Sequence, residues 1–187
     1  AVVNGGEVGR SAGSCPGVRE GARREEPDVM LVGELRDLET VRTALPAAET
    51  GHLVVSTLHT QGAVQTVDRI IDVFPAYQQG QIRYQLASTL KGVVSQTLLK
   101  RVAGGRVAAC EVMVASTAVQ NMIREGKTHQ IYSALQSSGG SLHQMMTLDQ
   151  HLADLVDAGR ISAESALEVA HDEQSLQRLL REHSSAF

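Results

Sequence analysis

The sequence predicts an α/β fold: a pair of parallel strands, a hairpin and a helical carboxyl-terminal region. Three observations predict it. Two short apolar runs, Asp28-Val-Met-Leu-Val-Gly33 and His52-Leu-Val-Val-Ser-Thr57, flank an amphipathic segment of helical length, which is the pattern of a βαβ unit. Two further apolar runs, residues 93–99 and 106–114, meet through Gly104-Gly105 as a hairpin. From Ser116 onward the sequence reads as helical to its end.

Residues 1–27 are punctuated by glycine and carry few large apolar side chains. Nothing there offsets the entropy cost of ordering glycine, so the segment reads as a lead-in that is poorly ordered when alone. The run ending at Gly33 is continuous rather than alternating, as suits a strand buried on both faces of a parallel sheet. Asp37 is placed to cap a helix through about Thr50, closed by Gly51, with Val41, Ala44, Leu45 and Ala48 as its apolar stripe. Pro46 falls inside that helix, where a lost hydrogen bond and a clash cost ~3 kcal/mol unless a kink accommodates them. The second run is again a buried-strand candidate. A strand of about six residues advances ~20 Å and a helix of about 14 residues returns ~21 Å, so the lengths agree.

Helical patterns follow over residues 62–73 and 76–90. Thr147-Leu-Asp-Gln150 is a capping box ahead of Leu148, Leu152, Leu155 and Val156 on one face, and Ser162 is placed to cap another helix. The organisation expected is a lead-in over 1–27, an α/β core over 28–115 and a helical region over 116–187.

Composition narrows the function. Seventeen basic against 21 acidic residues leave a net charge of −4, the wrong sign for a protein held to nucleic acid by phosphate neutralisation. Three Tyr, two Phe and no Trp make a poor base-stacking platform. No apolar stretch approaches the roughly 18–20 residues that span a bilayer, so no direct membrane insertion is expected. Cys15 and Cys110 cannot form a disulfide framework or a four-thiolate zinc site. The seven histidines show neither HxxxH nor HExxH spacing, and His52 and His59 fall an odd number of residues apart along one strand, on opposite faces. No metal site is expected. Cys110, beside Ala108, Ala109 and Val112, reads as a core thiol behaving as a small hydrophobe. The chain is read as soluble and intracellular and, starting at Ala1, as part of a longer protein.

Chemistry concentrates where both strands end. The first delivers Gly33-Glu34-Leu35-Arg36-Asp37 and the second Ser56-Thr57-Leu58-His59-Thr60. Ligands of open α/β sheets bind at the carboxyl ends of strands, so Glu34 and His59 are expected at one edge. A carboxylate fixed by a strand can orient an attacking water or hold Mg²⁺ through water, and phosphoryl transfer asks mainly for positioning of this kind. The pattern alone equally describes a solvated acid at a strand end and a hydrogen-bonded loop histidine.

Longer motifs are more specific. Glu25-Glu26-Pro27-Asp28-Val-Met-Leu-Val-Gly33-Glu34-Leu35-Arg36-Asp37-Leu38-Glu39-Thr40 resembles the Walker B segment of the bacterial type II/type IV secretion ATPases. Ala47-Ala-Glu-Thr-Gly51-His52-Leu53-Val54-Val55-Ser56-Thr57-Leu58-His59-Thr60 resembles their His box. Asp68-Arg69-Ile-Ile-Asp72-Val73-Phe74-Pro75, Ser95-Gln96-Thr97-Leu98 and Gly104-Gly105-Arg106-Val107-Ala108-Ala109 continue the likeness in order. Ala118-Val119-Gln120-Asn121-Met122-Ile123-Arg124-Glu125 is similar to the AIRNLIRE motif of the PilT-type twitching-motility branch, with Gln120 in place of an arginine. Secretion and pilus-extension relatives usually carry a four-cysteine zinc element that this chain cannot supply.

The resemblance implies a partial RecA-like P-loop ATPase core with an α-helical carboxyl-terminal tail, working with ATP and Mg²⁺ to retract a type IV pilus. Glu34 would be the catalytic glutamate, with Asp28, His59 and Arg69 as nucleotide-binding positions. Ala118, Asn121, Ile123, Arg124 and Glu125 would couple nucleotide state to retraction, although spacing alone makes them an amphipathic surface helix. The implied assembly is a homo-hexamer, cytoplasmic and peripheral to the inner membrane at the pilus base, contacting an inner-membrane pilus platform protein.

Departures from the pattern are equally informative. No GxxxxGK[ST] loop occurs in the 187 residues, so the isolated chain is expected to be inactive. Residues 3–28 align with the family's Asp-box region, but Ser11, Cys15, Arg19 and Arg23 replace an aspartate, an aromatic and two core leucines. The competing reading is a non-catalytic assembly or binding module, or a remnant of a secretion ATPase.

Overall fold

The computed structural model describes residues 28–137 and 145–184; the lead-in expectation for 1–27, with Cys15, lies outside them. The elements run β1 (Val29–Glu34), α1 (Leu38–Glu49), β2 (Leu53–Thr57), α2 (Ala63–Asp72), α3 (Ala76–Thr89), β3 (Gly92–Lys100) and β4 (Arg106–Val114). Then come α4 (Thr117–Arg124), a 3₁₀ turn (Thr128–Gln130), α5 (Ile131–Ser137), α6 (Leu148–Asp157), α7 (Ala163–Leu167) and α8 (Glu173–Ser184). They fall into two compact units. Of the described residues, the first holds 28–59 and 70–89, the second 60–69, 90–137 and 145–184.

In the first unit β1 and β2 pair in parallel, with Val29 opposite Leu53 and Leu31 opposite Val55. Register slips between Val32 and Glu34, leaving Gly33 as the odd residue. Bulges of this kind re-aim the next side chain. The joining helix starts where Asp37 accepts from the Thr40 amide at 2.9 Å and buries Val41, Ala44 and Leu45. It ends at Gly51, whose φ of 100° favours glycine. Pro46 does not break it: the helix runs through to Glu49, and the Pro46 carbonyl still accepts from Thr50 at 3.1 Å.

Burial of the strand pair corrects the sequence reading. Leu31 is 77% exposed and Val29, Leu53 and Val55 are also exposed, so one face is open rather than both being buried. The alternate face, with Met30, Val32 and Val54, is half-buried and packs on α1. A continuous apolar run signals that a strand can be covered on both sides; among the described residues this unit provides one layer of cover.

In the second unit the hairpin pairs Gly92–Lys100 with Arg106–Val114 throughout, turning through Gly104 and Gly105 at positive φ. Its buried side joins Leu99, Val107 and Ala109 to Leu148, Leu152, Leu155, Ile161 and Leu176. The capping box forms as expected: the Gln150 amide donates to Thr147 Oγ1 at 3.2 Å and the Thr147 amide to Gln150 Oε1 at 2.9 Å. Ser162 accepts from the Ser165 amide at 3.2 Å.

Two details differ from expectation. Met146 is extended, not helical, and bridges Val112 through two backbone hydrogen bonds of 2.9 and 3.0 Å, because the outer edge of β4 offers unpaired backbone groups. Cys110 is half-buried rather than a core thiol. It faces away from Ala109, and its amide donates to His151 Nδ1 at 2.9 Å.

Candidate functional site

The carboxyl ends of β1 and β2 are tied by backbone and side chain. Leu35 N–H donates to the Thr57 carbonyl at 3.0 Å, and Thr57 Oγ1 donates to the Gly33 carbonyl at 2.8 Å. These bonds fix the chain on both sides of Glu34. His59 Nε2 then lies 3.3 Å from Glu34 Oε1, a hydrogen bond for the Nε2–H tautomer and an ion pair for the protonated ring. The acid and the imidazole therefore meet at one edge, as strand direction predicts.

Arg36 completes the group. Its Nε reaches the same Oε1 at 2.7 Å, and that hydrogen bond and charge raise the guanidinium's pKa above its ordinary value. No motif in the sequence singles out Arg36. Its signal was position alone, two residues beyond Glu34, and a strand would send the side chains of i and i+2 outward in parallel. Leaving the strand at Leu35 lets them converge. Glu34 is about one-quarter exposed, His59 and Arg36 mostly so, so the edge is open to a ligand. An anchored carboxylate can accept a proton from water, while imidazolium and guanidinium suit anionic oxygens.

The other expected positions fall on other parts of the chain. Asp28 precedes β1 at its opposite end, roughly 20 Å from Glu34 for a strand of that length, and its carbonyl accepts from Leu53 N–H at 2.9 Å. It does not share the Glu34–His59 edge. Arg69 is exposed in the last turn of α2. His52 closes the end of α1 through Nδ1, 3.1 Å from the Ala47 carbonyl and from Thr50 Oγ1, so the two histidines have separate surroundings.

The segment with the retraction-type motif forms α4, capped by Ser116. Val119 and Ile123 are buried while Ala118, Asn121, Arg124 and Glu125 are exposed. Arg124 Nη1 donates to Asn121 Oδ1 at 2.8 Å. Glu125 pairs with Lys127 at 2.8 Å, and that hydrogen bond and charge lower its carboxyl pKa.

Glu111 is a second functional carboxylate that no motif marks. It is buried on β4, where its Oε1 accepts from the Ala63 amide at 2.7 Å and so caps α2. A Cβ on Gly62 would stand 3.3 Å from that same oxygen. The only sequence signal was a carboxylate on the apolar parity of a strand.

Residues 16–186 match the family model of type II/IV secretion system proteins, and the chain belongs to that family. Within it, the chain is 53% identical to the Pseudomonas aeruginosa type IV pilus retraction ATPase PilT over 169 residues, 90% of this chain and 48% of that protein. It is 48% identical to a twitching motility protein of Neisseria gonorrhoeae over 177 residues, 94% of this chain and 47% of that one. The crystal structure of a pilus retraction motor PilT with bound ADP superimposes with a TM-score of 0.82 at 47% identity, covering 92% of this chain and 48% of that chain. The α/β fold is thus that of the PilT ATPase, and the chain spans about half the length of these relatives.

Proposed function

We propose that this chain is the Walker B and His-box portion of a hexameric ATPase that couples ATP hydrolysis to type IV pilus retraction in twitching motility. The observation that carries the reading is the 3.3 Å approach of His59 to Glu34 at the bulged end of a parallel strand pair. In it, Glu34 accepts the proton of the attacking water, while His59, aided by Arg36, donates to phosphate oxygens. Arg69, in the last turn of α2, is taken as a further nucleotide-binding position, and Asp28 begins the strand that presents Glu34. Bound Mg²⁺ and ATP would supply the electrophile and its charge neutralisation; the carboxylate, imidazole and guanidinium fit that group.

Residues 28–115 are taken as the ATPase core and 116–187 as the helical region. In that region Ala118, Asn121, Ile123, Arg124 and Glu125 convert nucleotide state into retraction. The working protein is taken to be cytoplasmic, at the inner-membrane base of the pilus, against a platform protein.

A second reading, a non-catalytic assembly module, is favoured by the lack of GxxxxGK[ST] within the 187 residues. Nucleotide binding by the isolated chain separates the two, because a pure module shows essentially none. In the full-length parent, Glu34→Gln retains ATP binding and lowers hydrolysis by roughly 10²–10⁴. Unchanged turnover removes Glu34 from the catalytic role.

A further inference from the structure

The β3–β4 turn carries a concentration of positive charge that the ATPase reading does not use. Lys100 and Arg106 are direct cross-strand partners, a like-charge placement that weakens a hairpin. Arg101 follows Lys100, and its N–H bonds to the Gly105 carbonyl at 3.1 Å. Arg160 is brought alongside because Val102 N–H donates to its carbonyl at 3.0 Å. All four cations are exposed, and among the described residues none forms an ion pair with a carboxylate. Asp157, three positions before Arg160, still leaves three positive charges in surplus. In the same turn Val102 is 69% exposed, an apolar side chain following Arg101 in the sequence.

In a chain of net charge −4, this is a local reversal of sign kept at a cost to the hairpin. We propose that the β3–β4 turn is a contact for an anionic phospholipid surface, with Lys100, Arg101, Arg106 and Arg160 on headgroup phosphates and Val102 at the level of the glycerol. The charge favours an anionic partner, and the exposed apolar residue in the turn favours a bilayer over a wholly polar acidic polypeptide. Juxtamembrane cations gain from such a surface additively and lose that gain within a Debye length. The proposal does not depend on nucleotide chemistry, so it stands or falls apart from the ATPase reading.

Flotation of the 187-residue chain with phosphatidylcholine vesicles containing phosphatidylglycerol, against pure phosphatidylcholine, tests it at low salt. The expected result is binding to the anionic vesicles only, abolished by 0.5 M NaCl. Changing Lys100, Arg101 and Arg106 together to Gln should weaken binding about a hundredfold, following the per-cation gain. Val102→Ser should weaken it less, with unchanged salt dependence. Circular dichroism checks the fold of the triple variant, and the wild-type salt response stands as an independent test. No binding, equal binding to both vesicle types, or undiminished binding by a folded triple variant overturns the proposal. Retention on immobilised polyglutamate without vesicle binding also overturns it, assigning the patch to an acidic polypeptide.

Discussion

Asp149 sits at the second position of α6, almost fully buried, and holds three donors. Tyr132 Oη donates to Oδ2 at 2.8 Å, His171 N–H to Oδ1 at 2.8 Å and Asp172 N–H to Oδ2 at 3.1 Å. One carboxylate thus joins α5, α6 and the start of α8, where Asp172 in turn accepts from Gln174 N–H and Ser175 Oγ. Hydrogen bonds to a charged group contribute about 1.5–3 kcal/mol each. The two amides belong to exposed residues and can recover water, so the low end applies to them. Tyr132 is half-buried and stacks on His171 with ring centroids 4.2 Å apart, so its hydroxyl recovers less. Asp149→Ala should therefore cost about 4.5–6 kcal/mol, a large part of the roughly 5–15 kcal/mol that holds a typical domain. Asp149→Asn, which keeps the volume and one acceptor oxygen, should cost about half as much. Urea denaturation followed by circular dichroism measures both. A loss below about 1 kcal/mol for Asp149→Ala would refute the view that this carboxylate ties the three elements together.

Two further outcomes follow from the same unit. Burial, then the Asp149 hydrogen bond and charge, hold the Tyr132 hydroxyl pKa above the usual tyrosine range. The unfolded chain can ionise this residue from about pH 10 while the folded chain resists. Its stabilising contribution is therefore intact below that pH and is lost as pH rises beyond it. Tyr132→Phe should flatten the alkaline decline in urea midpoint, and an identical decline in both proteins removes Tyr132 as its source. Thr147→Ala deletes one half of the capping box and should cost about 1 kcal/mol or somewhat more given its burial, whereas Thr147→Ser restores most of it; thermal melts distinguish the two.

What was legible in the sequence was local. Asp37, Ser116, Thr147 and Ser162 each stand three residues before the amide they accept from, so the helix starts could be read directly. The βαβ unit followed from apolar runs and matching lengths, and the hairpin from Gly104-Gly105. Openness of the β1–β2 face depends on which elements cover it, and apolar content reports only that cover is possible. Asp149 looked like an ordinary second-position acid because its partners lie 17, 22 and 23 residues away. Glu111 was hidden for the same reason: the amide it caps lies 48 residues back.

The candidate site shows how strand direction and local irregularity divide the work. Direction alone brings residues at the ends of two parallel strands to one edge, which made Glu34 and His59 foreseeable. Direction does not make them touch; the slip after Val32 and the Thr57 bonds to the residues flanking Glu34 do that. Both Arg36 and His59 approach Oε1, so among the described residues Oε2 remains the acceptor available to a water. Exposed ion pairs of this kind contribute about 0–1 kcal/mol and are screened by salt, so the trio adds little to holding the fold. What it does is aim a carboxylate oxygen beside two exposed donors, a guanidinium and an imidazole, that can exchange it for another anionic partner. An edge built this way can receive a phosphate without breaking anything that stabilises the strands beneath it.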